Sequence, residues 1–262
     1  DIVARFERAR GKDVWFVAGA DENSLKNVQA AEREGISTQA LCDRNAAEFK
    51  RLAEALHISL TNFMRTSSEE HKQSCRELWE RCASGGDMYK KTYEGLYCVG
   101  CEAFYTPEEL TESGECEEHP GRPVERVQEE NYFFRLSKYG PELERMIASG
   151  EYRIVPESRR NEALGFIRGG LEDFSVSRST ARAREWGVSV PDDDSQMMYV
   201  WFDALNVYRS ASAGRWPADL HIIGKGILRF HAVYWPAMLR SAGLPIPRAL
   251  AVHGYVTANG QK

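Results

Sequence analysis

The chain is 262 residues long, 42% hydrophobic and 28% charged, the proportions of a globular protein with a substantial core in one large domain or two smaller ones. A net charge of -5 excludes an overall basic footprint for nucleic acid, though it leaves room for a local patch. No run is long and apolar enough to span a membrane and no signal peptide is visible. Cys42, Cys75 and Cys82 fall in helix-like segments without framework spacing, as expected of thiols in a reducing, cytoplasmic compartment. An organellar address stays open, because Asp1 is not an initiator residue.

Ile2, Phe6 and Ala9 recur at helical spacing, and Gly11 can end that helix. The apolar run Val14-Trp15-Phe16-Val17-Ala18 predicts a buried strand. It breaks at Gly19-Ala20-Asp21-Glu22-Asn23, and a helix follows to Gly35. Strand, glycine-containing turn and helix open a nucleotide-binding unit. Asp21 lies just past the strand's C-terminal end, where open α/β sheets bind ligands. The bland role there is the helix N-cap, and this stretch alone favours the cap. A second helix spans Thr38 to Leu56, with Leu41, Phe49, Leu52 and Leu56 on or near one face. Ser67 and Glu70, three apart, read as the capping box of a third helix, which carries Leu78, Trp79 and Cys82 and stops at Gly85-Gly86.

From about Met88 the texture changes. Tyr89, Thr92, Tyr93, Leu96 and Tyr97 predict strands, and then comes Cys98-Val99-Gly100-Cys101, followed by Cys116-Glu117-Glu118-His119. Three thiolates and one imidazole make a closed tetrahedral shell for a structural Zn²⁺, with no position left for water. A disulfide or a chance pairing is the alternative. Four ligands of the right type in one short hydrophilic stretch favour the metal. Pro123 to Val127 and Asn131 to Phe134 read as strands, and helices follow from Pro141 to Gly150 and from Ser158 to Arg168. This mixture reads as an insertion into an α/β sheet. Arg178 is either a surface charge or a clamp for carboxylate or phosphate.

The sheet pattern resumes at Met197-Met198-Tyr199-Val200-Trp201-Phe202, predicted as a strand leading into Asp203 and Ala204. Leu220 to Ile223 is the next strand, ending in Gly224-Lys225-Gly226, a weak phosphate-cradle signal. The following helix carries Leu228, His231, Trp235 and Leu239, with His231 and Trp235 on one face. Leu250 to His253 is the last strand. Taken on spacing alone, Trp201, Tyr208, His231 and Trp235 are more simply core aromatics with a structural histidine.

Several stretches together resemble methionyl-tRNA synthetases, a class I family. They are Glu129-Glu130-Asn131-Tyr132-Phe133-Phe134, Asp173-Phe174-Ser175-Val176-Ser177-Arg178, Tyr199-Val200-Trp201-Phe202-Asp203-Ala204-Leu205, Ile223-Gly224-Lys225, Phe230-His231-Ala232-Val233-Tyr234-Trp235-Pro236-Ala237 and His253-Gly254-Tyr255-Val256-Thr257-Ala258-Asn259-Gly260. The resemblance runs in order along essentially the whole chain. It implies a Rossmann-like parallel-sheet domain in two parts, residues 1–87 and 197–262, split by a connective-peptide insertion over 88–196 whose zinc knuckle spans 98–119. It further implies activation of methionine with Mg²⁺-bound ATP, and transfer of the product to the terminal adenosine of tRNA(Met). Carried over by motif, Asp21 pairs with the substrate ammonium. Trp201, Ala204, Leu205, Tyr208, His231 and Trp235 form or back the thioether pocket. Gly224, Lys225, His253, Gly254, Tyr255 and Val256 lie at the adenylate, and Arg178 and Lys262 are catalytic.

The family's His-Ile-Gly-His type motif would precede Asp1, and its Lys-Met-Ser-Lys-Ser loop would begin at Lys262. Residues 1–262 alone are therefore expected to form little adenylate. Asn23 and Ser24 stand where the family has His-Gly, and Gly226 stands where it has Asp. These departures motivate an alternative, a non-catalytic, zinc-stabilised relative acting as a binding or regulatory module. A class I enzyme for valine, isoleucine or leucine is disfavoured by the aromatic set, since branched aliphatics need no such box.

Overall fold

The structure, a computed structural model, describes residues 1–101, 103–118, 120–121 and 124–257. The chain opens with α1 (Ile2–Ala9), β1 (Val17–Ala20), α2 (Leu25–Glu34), α3 (Thr38–Ala55), β2 (Asn62–Arg65) and α4 (Glu69–Ser84). β1 and β2 pair in parallel, with Ala20 opposite Arg65. Parallel neighbours require a crossover, and α2 and α3 supply it.

The cap of α2 is Ser24, whose side chain accepts the Asn27 N–H, so Asp21 is not the cap. The helix ends at Gly35 with φ 68°, a backbone glycine adopts without a Cβ clash. The cap of α4 is Ser68, accepting from the His71 N–H, one residue after the predicted Ser67. The Ser67 hydroxyl goes instead to the Glu22 carboxylate. In α3 burial stops at Ala46. Phe49, Leu52 and Leu56 are more than half exposed, because the ten residues of α2 flank only part of this 18-residue helix.

From Met88 the pairing turns antiparallel. β3 (Met88–Cys98) runs against β5 (Glu125–Phe134) from Met88 opposite Phe134 to Tyr97 opposite Glu125, and β4 (Ala103–Tyr105) lies on its other edge. The two strands predicted near 123–127 and 131–134 are therefore one. Next come α5 (Gly140–Ser149), β6 (Arg153–Val155), α6 (Glu157–Arg168), β7 (Phe174–Ser175), β8 (Ser177–Ser179), α7 (Thr180–Ala183), β9 (Ser189–Val190) and β10 (Asp193–Met198). β7 completes the four-stranded sheet, while β8, β10 and β9 form a second, antiparallel one. The chain closes with α8 (Val200–Leu205), α9 (Val207–Ser210), β11 (His221–Gly224), α10 (Trp235–Ser241) and β12 (Ala249–His253).

Three sequence expectations change here. β6 pairs in parallel with β12, which pairs in parallel with β11. Residues 153–155, assigned to the insertion, thus belong to a parallel sheet; a three-residue strand is too short to show a pattern of its own. The predicted strand 197–202 ends at Met198, and Trp201 to Leu205 lie on α8. A short apolar run fits a buried strand or a buried helix equally well, and extended Tyr199 makes the switch. The predicted helix after β11 is broken into a 3-10 turn (Lys225–Ile227), a π-helical turn (Phe230–Tyr234) and α10. The π turn widens the helix where His231 sits, a device frequent at functional sites. The main core joins α4, α5, α6 and α10 to the parallel strands through Leu78, Leu143, Ile147, Phe202, Met238 and Leu250. The result is an α/β fold with parallel pairing and a large antiparallel block. No helix among the described residues is long and apolar enough to cross a membrane.

Candidate functional site

β1, β11 and β12 end in Ala20, Gly224 and His253. Open α/β sheets bind ligands outside the C-terminal ends of their strands. Past β1, Asp21 is exposed, whereas Glu22, Asn23 and Ser24 are buried. The Asn23 amide donates to the Thr66 carbonyl (2.9 Å) and to the carboxylate of fully buried Asp203 on α8 (3.1 Å). The residue expected to weaken the motif therefore provides an N–H donor to a buried carboxylate.

Trp201, Ala204 and Tyr208 are half-buried, while Phe202, Asp203 and Leu205 are buried. Their spacing puts the first three on one face of α8 and α9. Trp201 stacks on Phe230 at 4.0 Å and 7°, and meets His231 edge-on at 6.5 Å. Leu205 belongs to the core and Trp235 is fully buried against Trp216, so these two back the cluster and do not line it.

The proton on His231 is assigned by its partners. Nδ1 lies 2.9 Å from the Ile227 carbonyl, which only accepts, so Nδ1 carries the hydrogen. Nε2 then accepts from the Tyr208 hydroxyl at 2.6 Å. Burial depresses the His231 pKa to about 4, so the ring is neutral at physiological pH. Tyr208 is pushed above its usual value, first by burial and then by the negative charge of Asp21. Trp201, Tyr208 and neutral His231 thus make an uncharged, polarizable aromatic wall suited to an apolar or thioether side chain.

His221 was not expected. Its ring lies 4.1 Å from Tyr208, and burial first, with repulsion from His231 wherever that ring is protonated, lowers its pKa to about 3. The signal was present in β11, where His221 and Ile223 are buried and Ile222 is 54% exposed. An apolar residue on the outer face hid the alternation.

Gly224 and His253 are opposite one another across β11 and β12, which unites the two stretches expected at the adenylate. Lys225 Nζ sits 4.7 Å over the Tyr255 ring. Tyr255 donates to Glu118 at 3.3 Å, linking this loop to the cysteine-bearing turn. A Cβ on Gly226 would meet the Tyr255 hydroxyl at 2.6 Å. A cleft of about 410 Å³ opens here, lined by Glu118, Lys225, Gly226, Arg229 and Tyr255 among others. His253 and Gly254 are exposed, and Val256 is largely so. Arg178 is on β8. Its guanidinium is 5.5 and 5.3 Å from the Tyr97 and Tyr199 rings and donates to the Tyr97 hydroxyl at 3.0 Å.

The ligand atoms of Cys98, Cys101 and Cys116 lie within 4.8 Å of one another. The Tyr105 hydroxyl is 3.5 Å from the Cys116 sulfur, an outer contact of the kind that orients metal ligands. No cysteine is in a disulfide. Two expected residues, His119 and Lys262, lie outside the described residues.

Residues 1–262 match the family model described as tRNA synthetases class I (M). The methionine–tRNA ligase of Rhizobium meliloti is 44% identical over 274 residues, covering 100% of this chain and 52% of that protein. That of Thermotoga maritima is 45% identical over 274 residues, covering 100% and 43%. Among solved structures, Mycobacterium tuberculosis methionyl-tRNA synthetase bound by methionyl-adenylate superposes with a TM-score of 0.91 at 43% identity, covering 97% of this chain and 52% of that one. The same enzyme's apo form gives 0.76 at 36% identity, covering 92% and 56%. The chain spans about half the length of the curated relatives it matches.

Proposed function

The chain belongs to the class I (M) tRNA synthetase family, and from that premise we propose that it carries the methionine-activating centre of a methionine–tRNA ligase. In this reading a methionine carboxylate oxygen attacks the α-phosphorus of ATP, which enters with Mg²⁺. Pyrophosphate leaves, and the methionyl-adenylate then esterifies the terminal adenosine of tRNA(Met). The protein's part is positioning and charge stabilisation. Asp21 takes the ammonium. Trp201, Ala204, Tyr208 and His231 take the thioether side chain, backed by Leu205 and Trp235. Gly224, Lys225 and the segment from His253 to Val256 take the nucleotide. Arg178 and Lys262 act on carboxylate and phosphate oxygens. A reducing, cytoplasmic setting agrees with six cysteines outside any disulfide.

The observation that carries this reading is the aromatic cluster at the strand ends, with Trp201 stacked on Phe230, the Tyr208 hydroxyl bonded to a neutral His231, and Asp21 exposed just past β1. The amine and the side chain of one small amino acid can thus be held at once. We further assign the three converging sulfurs, with His119, to a structural Zn²⁺. Thiolates and imidazole in a closed shell are the donor set that ion prefers.

The test is methionine-dependent ATP–pyrophosphate exchange by the full-length protein. Asp21→Ala should raise the KM for methionine roughly ten- to hundredfold, the ~1.5–3 kcal/mol of a hydrogen bond to a charged group, and leave the KM for ATP unchanged. Trp201→Ala should lower discrimination against smaller amino acids. Equal losses for ATP and methionine in the Asp21 variant would make that residue structural. Absence of exchange in a folded wild-type protein would favour the non-catalytic alternative.

A further inference from the structure

Glu22, the neighbour of Asp21, has every polar atom engaged. Its N–H donates to the Thr66 hydroxyl (2.8 Å), and its carboxylate receives Arg65 Nε (2.8 Å) and the Ser67 hydroxyl. Its carbonyl accepts three side chains, Asn27 Nδ2 at 3.0 Å, the Trp186 indole N–H at 2.7 Å and, as a weak donor, the Cys42 thiol at 3.9 Å. The first bond fixes the peptide plane joining Asp21 to Glu22, and the carbonyl bonds fix the next plane. The first holds the plane on the C-terminal side of Asp21, and the carbonyl bonds hold the turn that carries Asp21 into α2.

Asn27 is local, on the first turn of α2. Trp186 comes from far along the chain, in the loop between α7 and β9. That loop is costly to hold. Arg184 and Glu185 both take left-handed backbone, with φ 53° and 57°, and Gly187 has φ 140°. Arg184 grips Glu32 on α2, so the loop is anchored to the same helix that bears Asn27. Two consecutive non-glycine residues in that region, tied down by an ion pair, aim one indole N–H at one carbonyl.

We infer that Trp186 is a positioning residue for the ammonium site. It acts with Asn27 through the Glu22 carbonyl, and a segment assigned by sequence to the insertion thereby sets the selectivity of the catalytic turn for an amino group. The inference rests on the reading of Asp21 as the ammonium partner. The indole does not touch substrate; it holds the turn that does.

The experiment measures equilibrium binding of two probes to the full-length protein, methionine and its desamino analogue 4-(methylthio)butanoate. The variants are Trp186→Phe, Asn27→Ala, the two combined, and Asp21→Ala. Trp186→Phe keeps an aromatic ring and removes only the N–H. The combined variant should bind methionine about tenfold more weakly, as expected for the loss of roughly one charge-assisted contact. It should bind the desamino analogue within twofold of wild type. Each single variant, retaining one of the two N–H donors, should fall between. Asp21→Ala sets the scale by losing methionine selectively. Should Asp21→Ala be selective while Trp186→Phe and the combined variant weaken both probes equally, or neither, Trp186 is a packing residue and the inference falls. A non-selective Asp21→Ala overturns the ammonium reading itself, and the inference with it. A combined variant that fails to fold leaves Trp186→Phe alone to decide on the same criterion.

Discussion

Below pH 6.5 the protein should lose stability steeply, because three histidines are buried as neutral rings. His71, His221 and His231 are 0%, 4% and 1% exposed. Burial is the first cause in each case, and it lowers their pKa values from 6.5 to about 4, 3 and 4. Above pH 6.5 all three are neutral whether the chain is folded or not, and they contribute no pH dependence. As the pH falls through 6.5, the unfolded chain binds a proton at each ring and the folded chain does not. The unfolded state is then favoured by up to ~1.4 kcal/mol per pH unit per histidine, until the folded rings titrate near pH 3 to 4. At pH 5 the three together cost about 6 kcal/mol, comparable with the 5–15 kcal/mol that holds a typical domain together. The carboxylates with depressed pKa values, Asp43 and Asp193 among them, lose their stabilising pairs only at lower pH, so the window from 6.5 to 4.5 belongs to the histidines. Denaturant midpoints measured across pH 4.5 to 7.5 should show an uptake approaching three protons on unfolding, and His71→Leu should reduce it by one. A flat stability between pH 7 and 5 would mean that these rings are hydrated or paired in the folded protein.

His231 shows why the site was only half legible in the sequence. Only the resemblance to a family singled out the aromatic set, since spacing alone favoured a core with a structural histidine. The geometry was not readable, since the run from 197 to 202 is apolar throughout and its period is hidden. Asp203 looked like a strand-end polar residue, yet it is fully buried because Asn23, 180 positions away, donates to its carboxylate. No local pattern encodes such a bond. The same holds for β2 and β6, whose four and three residues become strands only because β1 and β12 offer them edges. Conversely, the glycine at the end of α2 and the spacing of the cysteines act over short range and were visible in advance. Trp186 combines both situations: the Trp-Gly pair marks a turn, but its target carbonyl lies 164 residues back.

Removal of zinc should loosen the antiparallel block and spare the parallel core. Metal analysis after exhaustive dialysis should return about one equivalent per chain, and a strong chelator should release it. Binding energies of ~10–16 kcal/mol, typical of small zinc-organised units, are large enough that the turn between β3 and β5 has no stable alternative fold without its ion. The three sulfurs, crowded within 4.8 Å, then have nothing to hold them together. The loss should stay local, because the main buried cluster contains none of Cys98, Cys101 and Cys116. Hydrogen exchange should therefore rise over residues 96–121 and stay slow in α4 and α10. Cys116→Ala should abolish retention, whereas Cys75→Ala, at a thiol buried in that core, should keep the metal. The effect should also reach the nucleotide loop, since Glu118, two residues from Cys116, receives the Tyr255 hydroxyl and Tyr255 covers Lys225. In the exchange assay the metal-free protein should accordingly show a raised KM for ATP before any change in that for methionine. Full zinc retention in both Cys98→Ala and Cys116→Ala would end the assignment, because a closed four-ligand shell cannot lose either sulfur and hold its ion through dialysis.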